Sequence, residues 1–136
     1  MDYEKLIQSR NEKNHYARHM GVRVVEIKEG YARAVMEVNE EFQNSANVGD
    51  GCLFTLADVA TGSAAASRGS SMTTISGSLD YLSPASASEK ITAVSKEIKR
   101  GKKISFFEVE IFGETGKLVA KGLIRMASIS SMTGTD

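Results

Sequence analysis

The sequence predicts an α+β domain in which one long apolar helix is wrapped by a single curled antiparallel sheet. Three observations carry that reading. Residues 49–67, GDGCLFTLADVATGSAAAS, read as a helix of small and apolar residues with little solvent face. The chain on either side reads as strands, two before the helix and about four after it. The later strands are joined by short polar turns, which suit antiparallel neighbours, and one sheet curled around one helix buries that helix without a second sheet.

Each element has its own signal. Residues 2–16 predict a polar N-terminal helix, with Tyr3, Leu6 and Ile7 as a short apolar face and Tyr16 at its end. Residues 21–28, GVRVVEIK, are rich in β-branched side chains, and Glu29-Gly30 is a tight turn. In the next strand, 31–38, Ala32, Ala34, Met36 and Val38 share one face by a period of two, so the pair forms a hairpin. Residues 39–51 are polar and read as loop.

The long helix starts near Asp50, which can cap it, and runs to about Ser67, with Gly69 as its stop. Leu53, Leu56, Ala57, Ala60 and Ala64 form its core stripe, and Phe54, Asp58 and Ala65 lie on the flank. Strands follow at 72–82, 90–99, 104–112 and 117–128, with turns at 100–103 and 114–116. The tail 129–136 reads as frayed.

The 136 residues fit one domain spanning 1–136, long enough to bury roughly two-thirds of the unfolded surface. Hydrophobic residues make up 41% and charged residues 25%. Seventeen Lys and Arg balance seventeen Asp and Glu, so charge gives no reason to expect nucleic acid or an anionic membrane as partner. The single cysteine, Cys52, allows no intrachain disulfide and suits a reducing compartment. The N-terminus lacks the apolar core of a signal peptide, and no apolar run reaches the roughly 20 residues of a membrane span. The expectation is a cytoplasmic protein.

Asp58 is the one acid in the middle of the apolar helix. Two readings stand open. It bonds neighbouring hydroxyls or an arginine and is structural, or it is a general base or nucleophile in a partly dry pocket. The helix start adds free backbone NH groups over residues 49–53, an arrangement that can act as an oxyanion hole. Asp58 lies about two turns further on, roughly 10 Å away. A carboxylate from a neighbouring subunit can therefore complete the site.

Other chemistries have thin support. His15 and His19 lack the glutamate of a zinc protease motif and read as surface histidines, so no metal is expected. No phosphate-binding GxxxxGK[ST] loop and no GxSxG nucleophile elbow occur. Cys52 has no histidine partner and reads as a buried structural thiol.

Residues 42–67 and LDYLSPA at 79–85 resemble the acyl-CoA thioesterases of the phenylacetic-acid-pathway type, within the hotdog fold superfamily. LFTLADVA, 53–60, is the strongest part, and the resemblance spans roughly residues 15–127. It implies hydrolysis of an acyl-CoA thioester to free acid and CoA, with CoA present only as part of the substrate and no cofactor or metal. It implies a homodimer paired edge to edge, often doubled to a homotetramer, with the active site at the subunit interface.

Asp58 falls on the family's catalytic carboxylate, which activates water or attacks directly. The backbone NH of Asp50, at the start of the partner's helix beside Gly51, falls where the thioester carbonyl is polarised. Thr74 matches a hydroxyl residue that orients water. Asn44 stands in for the asparagine that frames the reacting group, one residue off the strict match at Gln43. Arg100, Lys102 and Lys103 are candidates to meet the CoA phosphates, as is Arg68, against the plain reading of a solvated turn.

The chain departs from the family at one motif: Gly49-Asp50-Gly51 stands where the family has His-Gly-Gly. A backbone NH survives, but the Asp50 charge near a developing oxyanion would oppose it. The departure motivates the alternative, a degenerate acyl-CoA or small-ligand binding protein on the same scaffold. Hydration or dehydration of an acyl thioester ranks last, because neither histidine sits beside the acid.

Overall fold

A computed structural model describes residues 1–37, 43–44, 47–85 and 90–129. The chain runs α1 (Tyr3–Lys13), α2 (His15–His19), β1 (Val22–Lys28), β2 (Tyr31–Glu37), β3 (Gln43–Asn44), β4 (Asn47–Val48), α3 (Asp50–Ala66), β5 (Met72–Tyr81), β6 (Lys90–Lys99), β7 (Ile104–Phe112) and β8 (Leu118–Ser128). Six strands form one antiparallel sheet in the order β1-β2-β6-β7-β8-β5, and β3 with β4 makes a small separate ribbon. This is the hotdog architecture, one long helix held in a curled sheet.

The helix is buried because its side chains are small enough to let the sheet close on it. Leu53, Leu56, Ala57, Ala60 and Ala64, the expected stripe, are all buried, with Val59 and Ala65 beside them. They pack against Ala34 and Met36 of β2, Ile91 and Ala93 of β6, Val109 of β7 and Ile124 of β8 in one continuous core. The hydroxyls carried into that core are all paired. Thr61 Oγ1 meets Ser95 Oγ at 3.0 Å, Ser63 Oγ donates to Val59 O at 2.8 Å, and Ser67 Oγ accepts from Gly30 N at 2.8 Å. A buried hydroxyl left without a partner is costly, and none is left so among the described residues.

The limits of the six long strands agree with the sequence reading to within a residue or two, and 90–99 and 104–112 agree fully, whereas the stretch 39–51, read as loop, carries the short β3 and β4. Three further local expectations are corrected. The N-terminal helix does not run through to residue 16. It stops at Lys13, and Asn14 turns the chain into α2, its side chain accepting from Ala17 N at 3.0 Å. Tyr16 is consequently an exposed residue of α2 and not the end of an apolar face. Asp50 is not the cap of α3: Gly49 is, with no side-chain cap bond, and Asp50 is the first helical residue with its carboxylate outward. Val38 and the tail from residue 130 lie outside the described residues.

The two sheet edges differ. Along β1, Asn11 of α1 bonds the strand as a neighbouring backbone would, Nδ2 donating to Val24 O at 2.9 Å and Oδ1 accepting from Val24 N at 2.7 Å. The other edge, β5, is ten residues long and exposed along most of its length.

Candidate active site

Asp58 projects from α3 towards the start of β5. There Thr74 Oγ1 donates to Asp58 Oδ1 at 2.7 Å, a charge-assisted bond that fixes one carboxylate oxygen and leaves Oδ2 for another partner. The register of β5 against β8 slips between Thr74 and Ser76, a bulge of the kind that re-aims side chains at sheet edges. Asp58 is partly buried, so solvent and ligand both reach it.

Two cavities open on this carboxylate. One of about 300 Å³ is lined by Gly51, Phe54, Asp58, Tyr16 and Thr74. It links Asp58 to the first turn of α3 within a single chain. The other, of about 200 Å³, has Asp58, Thr74, Asn14, Gly62, Met72 and, from α1, Arg10 on its walls.

Arg10 is the residue that sequence reading missed. It sits on a helix judged polar and chemically silent, yet its Nε donates to Ser63 Oγ at 2.6 Å across the face of α3. Burial lowers its pKa, and the charge of Asp58 opposes that shift. The available signal was Gly62. A glycine inside a helix costs about 1 kcal/mol against alanine, and here a Cβ would stand 2.8 Å from Arg10 Nη2.

The helix start is shaped for an anion or a polarised carbonyl. The first internal bonds of α3 run from Cys52 N and Leu53 N to Gly49 O, so the Asp50 and Gly51 amides precede the ladder. Gly51 is exposed, and a Cβ on it would meet nothing within 4 Å. Asp50 lines a third cavity, about 310 Å³, with Leu53, Tyr81 and Pro84. Tyr81 donates its hydroxyl to Asp50 O at 3.1 Å, and burial, then the Asp50 charge, raises the Tyr81 pKa. Cys52 is buried, and burial raises its thiol pKa, which suits an inert structural residue.

The structure does not bring every expected residue to this place. Asn44 and Gln43 lie in β3, their side chains outside what is described. Arg100 stands at the far end of α3, its Nη1 donating to Ala65 O at 3.3 Å and to Glu97 at 3.5 Å. Arg68 is held there by Glu97 and Glu29, both at 2.6 Å. Lys102 and Lys103 are exposed in the β6–β7 turn. Among the described residues no group of three or more His, Cys, Asp or Glu side chains can hold a metal, and no helix is long and apolar enough to cross a membrane.

The sequence pattern of the family described as Thioesterase superfamily matches residues 46–120, the span that holds α3, Asp58 and Thr74. The chain belongs to the thioesterase superfamily. Within the superfamily it is 30% identical to the acyl-coenzyme A thioesterase PaaI of Escherichia coli over 105 residues, 76% of this chain and 75% of that protein. It is 37% identical to a putative esterase of Archaeoglobus fulgidus over 102 residues, 74% of this chain and 66% of that protein.

Among solved structures, the E. coli PaaI protein superposes with a TM-score of 0.89 at 26% identity, covering 93% of each chain. A mutant phenylacetic acid degradation protein PaaI of Thermus thermophilus gives 0.79 at 26%, covering 84% of this chain and 98% of that one.

Proposed function

We propose that this protein hydrolyses an acyl-CoA thioester to a free acid and CoA. The observation that carries the reading is the Thr74–Asp58 bond at the mouth of two cavities. A carboxylate oriented through Oδ1 presents Oδ2 to a water. Asp58 takes a proton as the water oxygen bonds the carbonyl carbon, and the C–S bond then breaks as the CoA sulfur takes a proton. Direct attack by Asp58, with water resolving the anhydride, balances equally. The free amides at Asp50 and Gly51 are the donors suited to the oxyanion.

Asp50 Cα and Asp58 Cα are separated by roughly 12 Å of helix. The reading therefore takes the Asp50 amide from the partner of a homodimer and joins the two subunits along β5. The long exposed edge, with Ile75 and Tyr81 on it and Leu82 beyond, supports that choice. The exposed Ile98, Ile104 and Leu123 are the apolar side chains available for pairing dimers into a homotetramer. Lys102 and Lys103 form no ion pair among the described residues and are better placed to meet CoA phosphates than Arg100, which Glu97 and Ala65 O already engage.

One observation favours a second reading, binding without hydrolysis. The Asp50 side chain is exposed beside the amides that would face the oxyanion and does not turn back to cap the helix. The deciding experiment is thiol release from a panel of acyl-CoA esters by the parent protein and by Asp58→Asn. Hydrolysis predicts release by the parent and a loss of about 100-fold or more in the variant, the usual weight of a general base. Saturable binding with no release from any ester establishes the second reading.

A further inference from the structure

We propose that the cavity between α1 and α3 is an acyl-end subsite for a carboxylate, read by Arg10, so that the ligand is an acyl-CoA whose acyl group carries a second, anionic carboxylate. The inference deepens the hydrolase reading by naming its substrate class. It rests on that reading for its place in a reaction but not for the binding.

The side chain is built in from two sides. Ser63 Oγ accepts from Nε at 2.6 Å and donates in turn to Val59 O at 2.8 Å, which fixes the plane of the guanidinium. Gly62 leaves the space that Nη2 occupies. A glycine at the centre of a helix is otherwise unfavourable, so the space is a specific accommodation. With Nε engaged, the two terminal nitrogens form no hydrogen bond or ion pair among the described residues. A planar fork of donors left open on a cavity is the geometry that takes a carboxylate in two parallel bonds.

On the side away from Asp58 the surroundings of Arg10 are cationic. Arg10 and Asn14 also wall a second cavity of about 490 Å³, with Leu6, Ser9, Lys13 and His15, and no Asp or Glu lines it. The acid that faces Arg10 is Asp58 across the smaller cavity, outside ion-pair contact. A ligand reaching from Asp58 to Arg10 therefore crosses from an acceptor to a donor, as a thioester with a terminal carboxylate does. The CoA diphosphate is a poor occupant. The whole pantetheine arm separates it from the scissile carbonyl, whereas Arg10 and Asp58 share a cavity of only about 200 Å³.

The test compares succinyl-CoA with butyryl-CoA, which match in length and differ in the terminal carboxylate. Two quantities are measured on the intact protein: kcat/KM by thiol release, and Kd by calorimetry in the Asp58→Asn background. The expected succinyl-to-butyryl preference is about 10- to 100-fold, the range of a charge-assisted pair. Arg10→Gln should bring that ratio towards one. Gly62→Ala should do the same with the charge still present, because the new Cβ displaces Nη2.

A ratio near or below one in the parent overturns the subsite, as does a ratio that both variants leave unchanged. Should Arg10→Gln fail to fold, the parent ratio and Gly62→Ala decide alone. Hydrolysis without preference removes the subsite and keeps the hydrolase. Preference in binding without thiol release removes the hydrolase and keeps the subsite.

Discussion

Thr74 shows how little chemistry separates a structural from a working acid. Its hydroxyl is the one side-chain group that bonds Asp58 among the described residues. Thr74→Val keeps the shape and removes the donor, so Asp58 loses its fixed orientation. Turnover should fall by about tenfold, the worth of roughly one hydrogen bond to a charged group, while Thr74→Ser should restore most of it. Steady-state thiol release on the three proteins checks this. The sequence could nominate Asp58, because an acid amid LFTLADVA is conspicuous. Thr74 followed only from family resemblance, since nothing in MTTISGSLDYL singles out one of its hydroxyls. Arg10 left only the indirect sign of Gly62, for another reason. Its role depends on where α1 lies across α3, a tertiary fact that periodicity within α1 does not encode.

At the scale of elements, β2, β6 and β7 were legible because each keeps one face buried, and a period of two survives in sequence. Asn14 was harder: it ends α1 and caps α2, so a continuous polar segment hides a break. The join of β5 to β8 depends on Gly122, where any Cβ would collide with Ser78 O. Gly122→Ala should destabilise the protein by about 3 kcal/mol or more, measurable by urea unfolding, with Gly116→Ala a milder change at an open turn.

The far end of α3 is held by charge. Hydrogen bonding from Arg68 is the main cause that holds the Glu97 carboxyl below its ordinary range, against the upward push of burial. The native state thus favours ionised Glu97. Its contribution is full above about pH 4.3 and is lost as pH falls through the depressed folded value. The stability gap between parent and Glu97→Gln should close as the solution is acidified through that window, as urea midpoints would show.

At the scale of the molecule, the asymmetry of the two edges is what the proposed dimer through β5 rests on. Asn11 closes β1, whereas β5 offers unpaired backbone with Ile75 exposed upon it. Ile75→Lys should weaken the proposed dimer by about tenfold or more in Kd, seen by sedimentation, and activity should fall in step if the site is shared. The sequence could not distinguish the edges, because strand order is set by long-range pairing that no local window contains.

That pairing orders events in time. β5 is the first strand made after α3, yet its sole neighbour in the sheet is β8, the last. A ribosome releasing this chain from its N-terminus has already delivered Asp58 and Thr74 while the strand that anchors Thr74 is still unsynthesised. The Asp58–Thr74 pair proposed to be catalytic is therefore among the last features of the protein to take shape, and a chain that stops short of residue 118 carries both residues without the means to hold them together.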